Sequence, residues 1–212
     1  EHDKLKPCFV FKGKVEQWHF IHVDLSHTRD ATGFAMAHLE KDIVIVDLML
    51  RIKAPVGGEI MFSQIRELIF ELKRRKFYIR GITFDGWQSI DSIQILKEKG
   101  FNCEVLSVDK DTAAYDTLQD KIYDGKFKCY RYEPFLQEAR RLELIEGKKV
   151  NHPSLHGSKD VADAVAAATY NCVSHKNNFS YWFAGDSIKG KEKSKDLPSK
   201  ETLEQIAKKD PW

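Results

Sequence analysis

The sequence has few cysteines and lacks the short motifs of the common cofactor sites. Its four cysteines stand far apart with no C-x-x-C pair, which argues against a zinc or redox centre and favours reduced thiols in a cytosolic protein. Neither a P-loop nor a G-x-G-x-x-G segment is present. No apolar run approaches the roughly 18 residues of a membrane span, and no signal peptide is visible.

An excess of charge of either sign is also missing. The net charge is +2, so any DNA binding would need locally clustered basic residues. The 212 residues, 42% hydrophobic and 31% charged, fit one globular domain with a tail. Because the chain starts at Glu1 rather than at a methionine, we expect a piece of a longer protein.

Alternating and helical patterns predict an α/β domain at residues 17–184. It is preceded by a lead-in at 1–16 and followed by a charged, partly flexible tail at 185–212. Three antiparallel strands come first, and strands and helices then alternate. We predict a mixed sheet of five strands or slightly more, three antiparallel and then two parallel, with flanking helices. The predicted strands are 18–24, 32–39, 43–52, 78–84, 101–108 and 127–132, and the predicted helices 59–76, 89–99, 111–124, 134–142 and 158–174.

Two predicted strands end in a carboxylate. Asp24 closes the first strand, and Asp85 closes the strand that follows the first helix. A crossover helix commonly brings its strand beside an earlier one, and ligands gather at the carboxyl ends of such strands. If the two strands pair in parallel, Asp24 and Asp85 lie together.

The last long helix adds two more acids, Asp160 and Asp163, which share a helix face in a partly apolar turn. Clustered carboxylates repel one another, and this repulsion raises their pKa values. Divalent cations relieve it, and hard oxygen ligands suit Mg²⁺ or Mn²⁺. Two such ions about 3.5–4 Å apart support phosphodiester cleavage.

Each acid also has a local structural explanation. Asp24 could open a turn, Asp85 with Gly86 is a common turn dipeptide, and Asp160 could cap its helix with Asp163 completing the cap. Their combination favours a metal site. Four histidines lack metal-ligand spacing and are interpreted as polar edge or loop residues: His22, His27, His152 and His156.

Three segments resemble the nuclease domain of tailed-phage large terminase subunits. They are FDGWQSIDSIQILKEKGF (84–101), SVDKDTAAYDTLQDKIYDG (107–125) and HPSLHGSKDVADAVAAATY (152–170). The D-x-x-D-A pattern also resembles RuvC-type Holliday-junction resolvases, which share the RNase H-like fold. The resemblance covers residues 18–175. It implies an RNase H-like fold and a metal-dependent endonuclease that cuts concatemeric double-stranded viral DNA during genome packaging.

By that resemblance, Asp24, Asp85 and Asp163 hold two divalent cations, Mg²⁺ or Mn²⁺. Asp30 matches an acid that assists the second metal, and Asp160 matches the additional acid of the resolvases. The implied partners are DNA, a terminase ATPase domain in the same full-length chain, the portal and the small terminase subunit. We expect a monomeric isolated domain in the host cytoplasm. Candidate DNA contacts are Arg29, Lys159, Arg140, Arg141, Lys148 and Lys149.

Other functions are also compatible with the sequence. The same fold would suit a junction resolvase or, less well, a transposase-like enzyme. An actin-like nucleotide-binding domain also begins with three antiparallel strands, although no glycine follows Asp24 here. A catalytically silent packaging-motor or portal-binding module is the fourth possibility. Because the P-loop of a terminase motor is missing, translocation cannot be this chain's own activity.

Overall fold

The computed structural model describes Gly13 and residues 16–25, 31–86, 89–152 and 158–185, with side chains to His175. The residues up to His175 form one compact unit, and those from Lys176 onward form a second. Nearly all of the lead-in and the tail lie outside the described residues, so the predicted domain boundaries remain predictions. Within the described part, no helix is both long and apolar enough to cross a membrane.

The predicted antiparallel strands open the fold. Strand β1 is Trp18–Asp24, β2 is Thr32–Glu40 and β3 is Ile43–Ile52, each antiparallel to the next. Lys41, in the tight β2–β3 turn, has a φ of 59°. One irregularity interrupts this regular pairing. Met36 pairs with Leu48 and Ala37 with Val46, so Asp47 bulges out of β3.

Helix α1, Phe62–Arg74, leads into β4, Tyr78–Phe84, which pairs in parallel with β1 as predicted. Helix α2, Ile90–Glu98, connects to β5, Cys103–Val105, on the outer side of β4. A sixth strand, β6, Phe127–Cys129, lies parallel to β3 at the opposite edge. The sheet order is β5-β4-β1-β2-β3-β6, which confirms the predicted mixed α/β architecture.

The remaining elements surround this sheet. They are α3 (Ala113–Tyr123), α4 (Glu133–Ala139), the hairpin β7–β8 (Glu143–Ile145 and Lys149–Asn151) and α5 (Asp160–Gly185). The hairpin turns at Gly147, whose φ of 68° suits glycine. Several elements differ in length from the prediction. Helix α1 starts later because Met61 is extended, and β5 keeps only three residues, whereas α5 runs beyond residue 174.

The alternation of β1 divides the core into two layers. Ile21 and Val23 pack with α1 and α2 on one face of the sheet. Phe20 packs on the other face with the alanine-rich start of α5. Side chains alternate along a strand, so His22 and Asp24 lie on the α5 face with Phe20, whereas His19 lies on the α1 face.

Candidate functional site

Neighbouring parallel strands deliver the first two predicted acids to one edge of the sheet. Asp24 is the last residue of β1, and Asp85 directly follows β4. Val23 pairs with Phe84, and the backbone N–H of Asp85 donates to the carbonyl of Val23 at 3.1 Å. The side chains of Asp24 and Asp85 therefore leave adjacent strands at the same level.

Helix α5 brings the third and fourth acids to the same edge. Asp160 is its first residue, and its backbone rests on Gly33 of β2, which pairs with Asp24. A Cβ atom on Gly33 would lie 1.8 Å from the carbonyl oxygen of Asp160, so only glycine permits this approach. The glycine thus seats the start of α5 beside the end of β1.

A glutamate from another helix caps α5. Glu138 of α4 accepts hydrogen bonds from the backbone N–H groups of Val161 and Ala162, each 2.9 Å long. The hydroxyl of Ser158 donates to its other oxygen at 3.1 Å. Glu138 thus accepts from two N–H groups of the first turn that the helix itself leaves without an acceptor. Sequence reasoning missed Glu138, whose partners lie 20 to 24 positions away.

The pKa of Asp24 responds to the other three acids. Burial raises the pKa of Asp24 to about 8, and repulsion from Asp163, Asp160 and Asp85 adds to the shift. Burial also raises the pKa of Asp163 to about 6, although the adjacent ammonium of Lys159 opposes this rise. We call Asp24, Asp85, Asp160 and Asp163 the acid edge. Repelling carboxylates of this kind are a donor set that fits hard divalent cations.

Asp163 has the most elaborate surroundings of the four. The hydroxyl of Tyr115 on α3 donates to its Oδ1. Lys159 Nζ donates to its Oδ2 at 2.7 Å and to Asp109 at 2.7 Å. Lys149 of the hairpin also binds Asp109, at 2.9 Å. These contacts orient Asp163, which is only 3% exposed.

The other predicted site residues fall into two groups. Arg29 and Asp30 lie outside the described residues, as do His27 and His156. Arg140, Arg141 and Lys148 are exposed, whereas Lys159 and Lys149 are engaged with carboxylates as described above.

The interpretation of His22 as an edge or loop residue is wrong. It is fully buried inside the sheet, and burial lowers its pKa to about 3.

A second polar group was not anticipated from the sequence. His19, His38 and Asp47, here called the histidine cluster, are buried on the α1 face with ligand atoms all within 4.8 Å of one another. It is the only such group of three or more His, Cys, Asp or Glu side chains in the described part of the chain. Its distant pairing explains why no sequence spacing revealed it. The bulge of β3 turns Asp47 towards the two histidines.

The histidine cluster is a possible metal site with an existing internal bond. His38 Nδ1 and Asp47 Oδ2 lie 2.6 Å apart, a hydrogen-bond distance, and His19 Nε2 lies 3.7 Å from the same oxygen. Ligands of one tetrahedral ion, at 2.0–2.1 Å from it, stand about 3.4 Å apart. A metal would therefore have to open the His38–Asp47 contact.

Sequence comparison gives a relative of uncharacterized function. No protein-family model matches the sequence. An uncharacterized protein of Methanocaldococcus jannaschii, MJ0330, is 28% identical over 169 residues, which cover 75% of this chain and 30% of that protein. The chain thus spans less than a third of that relative's length.

Solved structures of phage terminases resemble the chain over most of its length. The large terminase nuclease of thermophilic phage G20c, solved with bound magnesium, has a TM-score of 0.56 at 16% identity and covers 77% of this chain and 85% of its own. The HK97 large terminase has a TM-score of 0.62 at 14% identity, covering 77% and 41%. The Thermus phage P74-26 nuclease domain has a TM-score of 0.57 at 16% identity, covering 76% and 82%. The chain therefore has the RNase H-like fold of the large terminase nuclease domains.

Proposed function

We propose that this chain is a metal-dependent DNA endonuclease whose active site is the acid edge. The observation that carries the proposal is the convergence of three elements: Asp24 and Asp85 end paired parallel strands, and the backbone of Asp160 at the start of α5 rests on Gly33, the partner of Asp24. The raised pKa of Asp24 agrees with this geometry. Such a site attracts divalent cations, because their positive charge relieves the repulsion between the carboxylates. Asp24, Asp85 and Asp163 would hold the ions, with Asp160 beside them and Asp30 as a further candidate.

The chemistry follows from what this site would offer a phosphodiester. Bound Mg²⁺ or Mn²⁺ would supply Lewis acidity and an activated water. Asp24 lies between the other strand acid and the helix acids, which suits a ligand shared by two ions. Tyr115 and Lys159 keep the Asp163 carboxylate oriented. The capped start of α5 then fixes the helix acids relative to the strands.

DNA binding would rest on phosphate contacts. Three exposed cations precede α5 in the sequence: Arg140, Arg141 and Lys148. Two further cations, Lys149 and Lys159, both pair with Asp109. Nothing in the sequence resembles a base-reading motif, so the domain alone would cut with little sequence preference. Its affinity would fall steeply as salt rises, because counterions are released on binding.

The biological setting is a second level of the proposal. The sequence resemblance and the fold support cleavage of viral DNA concatemers during packaging, in the host cytoplasm. The partners would be an ATPase domain in the same full-length chain, the portal and the small terminase subunit. The archaeal relative is itself uncharacterized, and it lends no support to any of these partners.

Plasmid cleavage tests the activity. We expect the chain to nick and degrade plasmid DNA with Mn²⁺ or Mg²⁺ but not in EDTA. Asp24→Ala and Asp85→Ala should each lower the rate by more than about 100-fold, the upper range for losing only an outer-shell partner of a metal. Asp91→Asn is the matched control, since its side chain is 78% exposed. Full cleavage in EDTA, or by both alanine variants, would contradict the proposal.

A junction resolvase is the alternative that one observation favours. The backbone of Asp160 rests on Gly33, the strand partner of Asp24, as expected if Asp160 serves the site together with Asp163. Cleavage rates on a four-way junction and on a linear duplex of the same sequence separate the two functions. A strong preference for the junction would replace the terminase-like role with the resolvase role.

A further inference from the structure

Three buried polar side chains join the elements that carry the acid edge. His22 of β1, Thr83 of β4 and Asn171 of α5 meet between the sheet and the helix, and we call them the polar tie. His22 Nδ1 lies 2.8 Å from the hydroxyl oxygen of Thr83. Asn171 Nδ2 donates to the same oxygen at 2.7 Å. Strands β1 and β4 and helix α5 are therefore linked through one atom.

The positions of the polar tie repeat those of the acids. His22 precedes Asp24 by two residues and Thr83 precedes Asp85 by two, so each pair shares a strand face at a separation of roughly 6–7 Å. His22 and Thr83 are also direct partners in the parallel register. On α5, Asn171 follows Asp163 by about two helical turns. The polar tie thus lies one layer beneath the acid edge on the same three elements.

The hydroxyl of Thr83 has a partner for each of its hydrogen-bonding positions. It accepts from Asn171, and it lies 3.5 Å from the carbonyl of Ile21, to which it can donate. The His22 tautomer that carries its proton on Nδ1 then donates to the second lone pair. In this tautomer Nε2, which is buried and has no hydrogen-bond partner in the described part of the chain, is an unprotonated acceptor rather than an N–H group.

Packing alone does not account for these residue types. The surrounding layer is apolar and includes Phe20, Val165 and Ala168. His22 is fully buried, and Thr83 and Asn171 are 8% and 5% exposed. Buried polar groups are costly unless they are bonded, and a bonded network favours one arrangement of its elements over slipped alternatives. Apolar side chains would fill the same layer without specifying the alignment of β1, β4 and α5.

We propose that His22, Thr83 and Asn171 are positioning residues that hold Asp24, Asp85 and Asp163 at the spacing required for divalent-cation binding. The proposal rests on the acid edge being the metal site. It assigns the polar tie no contact with DNA or with a reacting atom. Its effect is on the distances between carboxylates, and metal affinity therefore reports on it directly.

The experiment compares two isosteric substitutions of buried threonines in the 212-residue chain. Thr83→Val removes the central hydroxyl of the polar tie. Thr169→Val is the matched control, because Thr169 is fully buried on α5 and its hydroxyl has no hydrogen-bond partner among the described residues. Mn²⁺ binding is measured by calorimetry, and plasmid cleavage is measured across a Mn²⁺ titration, below the melting temperature of every variant. Thr83→Ser restores the hydroxyl and serves as the rescue.

We expect Thr83→Val to weaken Mn²⁺ binding about 10–100-fold, the usual effect of losing an outer-shell partner, and to raise the Mn²⁺ concentration for half-maximal cleavage to match. Thr83→Ser and Thr169→Val should stay within about twofold of the wild type, a margin well inside that range. If Thr83→Val does not fold, Asn171→Leu serves instead, because it removes one hydrogen bond to the same oxygen. It should weaken Mn²⁺ binding in the same direction but by less.

The outcomes separate this proposal from the proposed function. Unchanged Mn²⁺ affinity in a folded Thr83→Val or Asn171→Leu variant would overturn the positioning role while leaving the nuclease intact. An equal loss in Thr169→Val would also overturn it, because any buried change would then act alike. A wild type that binds Mn²⁺ without cutting DNA would overturn the nuclease alone. A wild type that does neither would overturn both.

Discussion

The acid edge and the histidine cluster lie at opposite ends of β1 and on opposite faces of the sheet. At the carboxyl end of β1, Asp24 meets three other carboxylates. At its amino end, His19 and His38 surround the single carboxylate of Asp47. The first group keeps a repulsion among its carboxylates that the ammonium of Lys159 relieves only in part, whereas the second pairs its acid internally. Burial of polar groups therefore has two different meanings within one sheet.

This difference distinguishes a polar group that stabilises the fold from one that is suited to binding a ligand. A buried acid with a hydrogen-bonded histidine is satisfied, and losing either partner costs stability. A buried acid among other acids is not satisfied, and losing it relieves strain in the metal-free protein. The same substitution, aspartate to alanine, should consequently have opposite signs at the two places.

The largest stability effect is expected at the histidine cluster. Asp47→Ala removes the acceptor of His38 and leaves a buried polar group unpaired, which should lower the free energy of unfolding by about 3 kcal/mol. Urea denaturation measures the change, with exposed Asp120→Ala on α3 as the control. A loss of unfolding free energy no greater than that of Asp120→Ala would contradict the contrast between the two groups.

Asp24→Ala should stabilise the protein in the absence of divalent ions. Folding raises the pKa of Asp24 from 3.8 to about 8, so the neutral carboxyl costs the fold little below pH 3.8, and the loss of stability caused by its ionisation is complete once the pH has risen through 8. The variant should gain about 2 kcal/mol over the wild type at pH 8.5, an amount discounted for partial exposure, and almost nothing at pH 4. Urea denaturation in EDTA at both pH values tests this, and destabilisation at pH 8.5 would contradict it.

Divalent ions should reverse that gain. Mn²⁺ at 100 times its dissociation constant should stabilise the wild type by about 2.7 kcal/mol. Protons compete for the same carboxylates, so the stabilisation should grow between pH 6 and pH 8, where Asp163 and Asp24 titrate. Asp24→Ala should lose the effect and Asp47→Ala should keep it. Thermal melts with and without Mn²⁺ distinguish these results from a nonspecific salt effect, which both variants would retain.

The smallest effect is expected from Zn²⁺ or Co²⁺ at the histidine cluster. A transition ion must open the 2.6 Å contact between His38 and Asp47 before it can use both atoms. We therefore expect little shift of the melting temperature when either ion is added to Asp24→Ala, which lacks a complete acid edge. A visible absorption band of bound Co²⁺ that vanishes in Asp47→Ala would instead establish a second metal site.

Local patterns were sufficient for the acids on the strands. The alternation of β1 and the polar turn between β2 and β3 depend on neighbours in the chain, and both were predicted. The closeness of Asp24 and Asp85 was expected on the condition that β1 and β4 pair in parallel, and they do, because a crossover from α1 has few ways to return to the sheet. Contacts made at long range escaped prediction. Glu138 as the cap of α5 and Tyr115 as the partner of Asp163 are of this kind.

Sequence by itself thus determined the order of elements, the mixed sheet and the candidate acids, because periodicity and strand-end carboxylates are local properties. Only the tertiary structure decided what surrounds them. The close approach over Gly33, the buried network of His22 and the bulge at Asp47 each depend on side chains that meet across strands or across helix and sheet. Burial and distance between such partners set charge, pairing and pKa, and neither quantity is present in a linear order of residues.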